Sequence, residues 1–487
     1  MENKLQLRGV WEITMGCNMR CKHCGSACKD KLDGELTTEE ALNLCKQLAE
    51  AGTTSITLSG GEPTIRSDWH IIAKELTKNN VTVGMISNGW LVSEEIADRA
   101  FEAGINNFAI SLDGLRDTHD YMRHDKSFDQ IMNALDILRK KGVKTSIITT
   151  VNKRNIFELH EIKNILIEKG VAAWQIQFAL PMGSFHFNRN ELMIEQSQVD
   201  NIIDFAYEIK NEINVYLGNC IGYFTNKEAE IRSRYSKTMS KSWKGCPIGR
   251  NSFGVLHNGD ILGCVSVRGE EFIEGNIREL DFKTIWDNGF SYNREMSKDK
   301  LSGFCGECAY GEYCLGGCLN TRYCTQKSMY DENLYCSYRN SVYKELENSP
   351  KMTKGTDVIK KYINSCLENE SYNVITKYLT DYLKTAFYIS EKDKIDFLNI
   401  LHFAYYKMFD FEKSKEVCNN VLDIYENNSY ALHGLAINLF ELGEIEKSIE
   451  ITNKLIEING ENLQEHLKDM QSLFERDGIS YSFKIKA

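Results

Sequence analysis

Four cysteines fall within thirteen residues in GCNMRCKHCGSAC, residues 16–28. A chain holds so dense a group by disulfides, by metal or cluster ligation, or by core burial, and each choice leads to a different kind of fold. The chain carries 16 cysteines in 487 residues. Its first residues, MENKLQLRGVWEI, contain no apolar signal segment. No stretch approaches the roughly 20 apolar residues of a membrane-crossing helix. The expected location is therefore the cytoplasm, where thiols stay reduced, and ligation becomes the default reading of clustered cysteines. A net charge of −11 excludes the basic face that a nucleic-acid or anionic-membrane partner requires.

Periodicity supplies the frame for that cysteine loop. Strand-like runs are VWEITMG (10–16), SITLSGGEP (55–63), VTVGMISNG (81–89), NFAISLDG (107–114), KTSIITTVN (144–152) and AAWQIQFAL (172–180). Helical stretches lie between them. FDQIMNALDILRKKG places Ile131, Leu135 and Leu138 on one face and stops at Gly142. Six strands alternating with five helices predict βαβ units and a parallel sheet, whose sites collect at strand ends. The cysteine motif begins where the first strand ends.

The spacing is Cys17-x3-Cys21-x2-Cys24. Zinc asks for four ligands, commonly in two pairs. Three thiolates on one loop leave a cubane iron–sulfur cluster with one iron lacking a protein ligand. SGGEP alone would read as a strand-terminating turn. Joined to the cysteine motif, it resembles the radical S-adenosylmethionine (SAM) superfamily. That resemblance implies a [4Fe–4S] cluster on Cys17, Cys21 and Cys24 whose unique iron is chelated by SAM, and a 5′-deoxyadenosyl radical that abstracts hydrogen from substrate. It also implies that Gly60 and Gly61 let backbone approach the SAM amino group, that Glu62 accepts from that ammonium, and that Pro63 fixes the turn. Ser111 and Asp113 fall where the family contacts ribose and methionine. Asn88 ends the third strand in the same pocket. Arg123 resembles an arginine that pairs with the SAM carboxylate. Cys28 lies outside the motif and reads as a buried or incidental thiol, as do Cys45, Cys366 and Cys418 in helical stretches.

A second array runs Cys246, Cys264, Cys305, Cys308, Cys314, Cys318, Cys336. Two zinc ribbons are the plain alternative. The order C…GxxxxC…CxxCxxxxxCxxxC…C resembles the SPASM domain, a twin auxiliary-cluster module. By that resemblance Cys246, Cys264 and Cys318 serve auxiliary cluster I, and Cys305, Cys308, Cys314 and Cys336 serve auxiliary cluster II, giving three [4Fe–4S] clusters in all. Cluster I then lacks a fourth ligand. The candidates are Cys220, set between Gly218 and Gly222 as a flexible approach; Cys324, which the tight loop CLNTRYC turns away; or an open iron. SFGVLHNGDILGC reads as a hairpin turning at Asn258-Gly259.

Beyond residue 352 the sequence turns wholly helical. A 34-residue offset aligns FDFEKS (409–414) with GEIEKS (443–448), the period of tetratricopeptide (TPR) repeats, while 356–390 is helical but out of phase. The expected architecture is α/β: a partial (β/α)6 parallel barrel (1–215), a connecting segment (216–245), a loop-rich iron–sulfur SPASM domain (246–345) and an all-α TPR-like domain (352–487). Radical SAM plus SPASM implies modification of a ribosomally made peptide by crosslinking or oxidation, with a precursor peptide and an electron donor such as flavodoxin or ferredoxin as partners. The alternatives are a maturase of a folded protein such as a sulfatase, a small-molecule radical SAM enzyme, or a non-catalytic electron-transfer protein. Many peptide maturases carry an N-terminal leader-binding domain. The few residues before the first strand leave no room for one, which makes the TPR-like region the expected peptide groove; the plain alternative is a packing appendage.

Overall fold

The computed structural model describes residues 6–234, 243, 245–352, 354–385, 389–459 and 463–479. Ten strands form one sheet: β1 Leu7–Thr14, β2 Thr53–Gly60, β3 Thr82–Ser87, β4 Ile105–Ser111, β5 Thr145–Val151, β6 Ala173–Phe178, β7 Val215–Leu217, β8 Ser252–Val255, β9 Asp260–Leu262 and β10 Ile273–Asn276. Their order is β10-β9-β8-β1-β2-β3-β4-β5-β6-β7. The six expected strands are the parallel run β1 to β6, and β7 extends it. β8 pairs in parallel with β1, and β9 runs antiparallel to both β8 and β10. The expected hairpin is β8–β9. Its loop spans 256–259, with Leu256 N–H donating to Asp260 O and Gly259 at φ 89°.

Helices α1 Thr38–Glu50, α2 Trp69–Lys78, α3 Glu94–Glu102, α4 Arg116–Met122, α5 Ser127–Lys140 and α6 Leu159–Glu168 fill the crossovers. α1 starts where Thr37 and Glu40 form a reciprocal cap: Glu40 N–H donates to Thr37 Oγ1, and Thr37 N–H donates to Glu40 Oε2. Its buried face is Ala41, Leu44, Cys45 and Leu48, so Cys45 is a core thiol. α5 buries Ile131, Ala134, Leu135 and Leu138, the face its periodicity predicts.

The chain forms two compact units, one of residues 1–306 with 311–340 and one of 307–310 with 341–487. The β1–β8 ladder builds the cysteine-rich segment into the barrel sheet. Residues 235–242 and 244 of the expected connecting segment lie outside the described residues.

In the second unit, helices Thr356–Glu368, Tyr372–Thr385, Glu391–Lys407, Phe411–Ile424, Ser429–Glu441, Ile445–Asn459 and Gln464–Arg476 follow in sequence. The 34-residue offset is visible bond by bond. Phe409 and Gly443 both turn through the left-handed region, at φ 58° and 77°. Asp410 N–H donates to Tyr405 O at 3.0 Å, and Glu444 N–H donates to Leu439 O at 2.8 Å. Ser414 Oγ donates to His402 O at 2.9 Å, and Ser448 Oγ donates to Ala436 O at 2.7 Å. The same turn recurs at Ser371, whose N–H donates to Cys366 O, outside that period. Cys366 and Cys418 are buried.

Candidate active site

The cysteine loop leaves β1 pinned at both ends. Gly16 N–H donates to Thr14 Oγ1, and Cys17 N–H donates to Lys29 O. Farther along, Lys22 N–H donates to Met122 O at the end of α4, and Cys24 O accepts from Ser184 N–H.

Donors already face the sulfurs. Met19 N–H lies 3.4 Å from Cys17 Sγ, and Arg123 Nη1 lies 3.9 Å from Cys21 Sγ. Hydrogen bonds from the Cys28 thiol, and from Cys28 and Ser26 N–H, pull the Cys24 thiol below its usual range. Cys28 is buried, as expected, and sits against a motif sulfur. Burial pushes the Cys21 thiol up to about 11 despite the nearby Arg123 cation. The donor set is thiol throughout, backed by N–H groups and one cation, and it suits an iron–sulfur cluster.

The residues expected around SAM lie at neighbouring strand ends and are joined by protein hydrogen bonds. A Cβ on Gly60 would lie 2.1 Å from Thr14 O, and one on Gly61 would lie 2.1 Å from Gly16 O. These glycines are dictated by close passage of the β2 end over the β1 end, whose bonds are Gly61 N–H to Thr14 O and Glu62 N–H to Gly16 O. Glu62 is fully buried. Its Oε1 accepts from Thr64 Oγ1 (2.6 Å), Thr64 N–H and Ser87 Oγ, and its Oε2 accepts from Asn88 N–H (2.7 Å). Four protein donors occupy the carboxylate expected to await an ammonium, and burial raises its pKa against them. Pro63 opens a short 3-10 turn, Pro63–Ile65. Asn88 donates through Nδ2 to Asn18 Oδ1, tying the β3 end to the cysteine loop. Ser111 ends β4 and is buried.

Asp113 and Arg123 pair with each other inside the protein. Asp113 Oδ2 accepts from Arg123 Nε at 2.5 Å and lies 3.1 Å from His23 Nε2, while Oδ1 accepts from Thr150 N–H. Burial alone would raise this carboxyl; Arg123 and His23 outweigh it and hold it far below the usual range. Asp113 thus positions Arg123 against the cysteine loop, and both of its oxygens have protein partners. Arg123 is correspondingly paired inside the protein. His23 escaped the sequence reading, although its place inside the motif is the signal that could have found it. Glu12 escaped it too: this buried β1 carboxylate pairs with Arg268, beyond Cys264, and accepts from Ser26.

In the second array, Cys246, Cys264 and Cys318 are near neighbours. Burial first, then the Cys318 and Cys264 thiols, push Cys246 up to about 12. Burial first and Cys318 next push Cys220 up to about 12. Its surroundings are closely packed. A Cβ on Gly218 would meet Gln177 Cβ at 2.8 Å, and Gly222, Tyr223 and Phe224 turn at φ 98°, 121° and 57°. Tyr223 is fully buried there, and its hydroxyl accepts from Cys318 N–H. CLNTRYC is no loop but the start of helix Leu319–Gln326, in which the Cys324 thiol donates to Asn320 Oδ1 at 3.0 Å. Cys305 Sγ accepts from Asn333 N–H, Cys308 Sγ accepts from Tyr310 N–H, and Cys314 and Cys336 pack with Tyr223 and Trp243.

A cavity of about 470 Å³ is lined by Gly25 and Ser26, next to Cys24, together with Arg268, Tyr323, Cys324 and Lys327. Met182 and His186 complete its wall.

Residues 11–166 match the model of the radical SAM superfamily, and residues 246–309 match that of SPASM, an iron–sulfur cluster-binding domain. An AdoMet-dependent heme synthase of Methanosarcina barkeri (strain Fusaro / DSM 804) is 31% identical over 343 residues, which are 68% of this chain and 96% of that one. The chain belongs to the radical SAM superfamily. Mycofactocin maturase MftC of Mycobacterium tuberculosis (strain ATCC 25618 / H37Rv) is 28% identical, over 65% of this radical SAM chain and 79% of MftC. Streptococcus suis SuiB bound to S-adenosylmethionine shares the fold with a TM-score of 0.56 at 17% identity, over 69% of this chain and 78% of SuiB. The protein is an enzyme of this superfamily with SAM and iron–sulfur clusters as cofactors. That standing removes the non-catalytic alternative. No helix among the described residues is long and apolar enough to cross a membrane.

Proposed function

We propose that this enzyme modifies a ribosomally made peptide at an unactivated carbon. One observation carries the reading. The M. barkeri heme synthase matches over 96% of its own length yet takes up only 68% of this chain, and neither family model reaches past residue 309. The remainder includes helical hairpins with a 34-residue period, which we read as TPR-like. A small-molecule enzyme has no need of such an array, whereas an extended peptide fits one. The mycofactocin maturase relative and the structure of SuiB bound to precursor peptide SuiA agree with this reading.

Cys17, Cys21 and Cys24 would hold the SAM-binding cluster. Cys246, Cys264, Cys318 and Cys220 would hold the first auxiliary cluster, and Cys305, Cys308, Cys314 and Cys336 the second. When bound, SAM and its cluster supply a 5′-deoxyadenosyl radical able to take hydrogen from a carbon. The chain's own groups do the rest. The Asp113–Arg123–His23 group fixes the cysteine loop. Glu62 locks the β2 and β3 ends together. The cavity wall offers Arg268 and Lys327 as cations and Met182 as apolar surface to a substrate segment. The expected cytoplasmic setting would supply an electron donor of the flavodoxin or ferredoxin kind.

A second reading, chemistry on a haem precursor, is favoured by the 31% identity to the heme synthase. One experiment separates the two. The reduced, cluster-loaded enzyme is incubated with SAM and either a short precursor peptide encoded beside its gene or an iron porphyrin. A mass change in the peptide is expected. An unchanged peptide with a converted porphyrin would overturn the peptide reading.

A further inference from the structure

Asn373 is 1% exposed, on helix Tyr372–Thr385 among core residues such as Val374 and Ile375. A carboxamide is buried without penalty only where both its donor and its acceptor are used. Both are used on the backbone around one cysteine. Asn373 Oδ1 accepts from Ala309 N–H at 3.0 Å, and Asn373 Nδ2 donates to Glu307 O at 3.0 Å. The two bonds straddle Cys308. One turn along the helix, Lys377 Nζ meets Glu307 Oε2 at 2.6 Å. Tyr310 N–H donates to Cys308 Sγ at 3.4 Å. Residues 307–310 accordingly belong to the compact unit of the C-terminal helices, while the neighbouring chain on both sides belongs to the other.

We infer that the C-terminal helical region positions Cys308 as an iron–sulfur ligand, with Asn373 as the positioning residue. The inference rests on the reading of Cys308 as a ligand of auxiliary cluster II. The carboxamide fixes the peptide groups before and after Cys308, so the thiolate is presented in one direction without a strand or long helix to hold it. It also fixes the Tyr310 N–H against the sulfur, and such outer hydrogen bonds tune cluster potential. The helices are thus part of cofactor assembly in addition to any part in peptide binding.

The test uses the full-length enzyme, loaded with iron and sulfide without oxygen. Iron and sulfide per chain are measured together with electron paramagnetic resonance (EPR) of the reduced protein. Asn373→Leu is expected to lose about four of about twelve irons, as Cys308→Ala does, while the SAM-induced change in the signal of the SAM-binding cluster persists. Asn373→Asp keeps the acceptor for Ala309 but sets an oxygen against Glu307 O. It is expected to change the auxiliary EPR signal, and it decides the matter if the leucine variant fails to fold. Wild-type iron content and unaltered auxiliary signals in the asparagine variants, with Cys308→Ala depleted, would overturn the inference alone. Full iron content in Cys308→Ala would overturn the ligand reading and the inference with it.

Discussion

Asp113 shows how far a single residue can be read from sequence and where reading stops. Its place at the end of a strand was legible, because β4 ends in an apolar run followed by Asp-Gly. Its partners were not, because Arg123 and His23 reach it only once α4 and the cysteine loop are packed. Its ion pair is buried, and removing one partner of such a pair costs about 3–5 kcal/mol because the other charge is left uncompensated. Asp113→Asn is therefore expected to lower apo-protein stability by that order in urea unfolding at pH 7. The sign of the pH dependence follows from the depressed carboxyl. Its contribution is fully present above the unfolded pKa of about 3.9 and declines as pH falls below that value toward the lower folded pKa. The gap between wild type and Asp113→Asn should stay constant from pH 8 to about pH 5 and narrow only below about pH 4. A gap that closes between pH 7 and 5 would contradict the pairing. Cys220 supplies a second check at this scale. Cys220→Ala is expected to make auxiliary EPR signals responsive to added imidazole, because one iron loses its thiolate. Cys324→Ala should leave them unchanged, since that thiol already donates to Asn320.

Among the elements, the six barrel strands and the faces of α1 and α5 were legible because each depends on neighbouring residues alone: period, cap and stop signal. Pairing of β8 with β1 was not, since it joins residues more than 240 positions apart, Arg8 to Ser252, and β8 has only four residues. The 34-residue offset was legible, and the structure explains it through repeated turn bonds. Those bonds are not equal in consequence. Ser414 Oγ also accepts from the buried Asn438 Nδ2 at 2.8 Å. Ser448→Ala should cost about 1 kcal/mol, a lost hydrogen bond, whereas Ser414→Ala should cost about 1–3 kcal/mol because the Asn438 donor is left unsatisfied. Thermal unfolding of the two variants checks the order, and an equal loss would contradict the role given to Asn438.

At the scale of the molecule, the cysteine spacing carried most of the functional reading, because thiolate ligands are fixed by loop length as well as by fold. The cavity beside the cysteine loop was not legible. Its walls come from segments as distant as Gly25, Met182, Arg268 and Lys327, and no local pattern announces that they meet. The central claim is that Cys17, Cys21 and Cys24 hold the cluster on which SAM is cleaved. The most direct test measures 5′-deoxyadenosine released from SAM by the reduced enzyme and by its Cys17→Ala, Cys21→Ala, Cys24→Ala triple variant, with iron counted in both. The account expects release by the wild type, none by the variant, and about eight irons retained on the auxiliary cysteines. Release at the wild-type rate by the triple variant would contradict it.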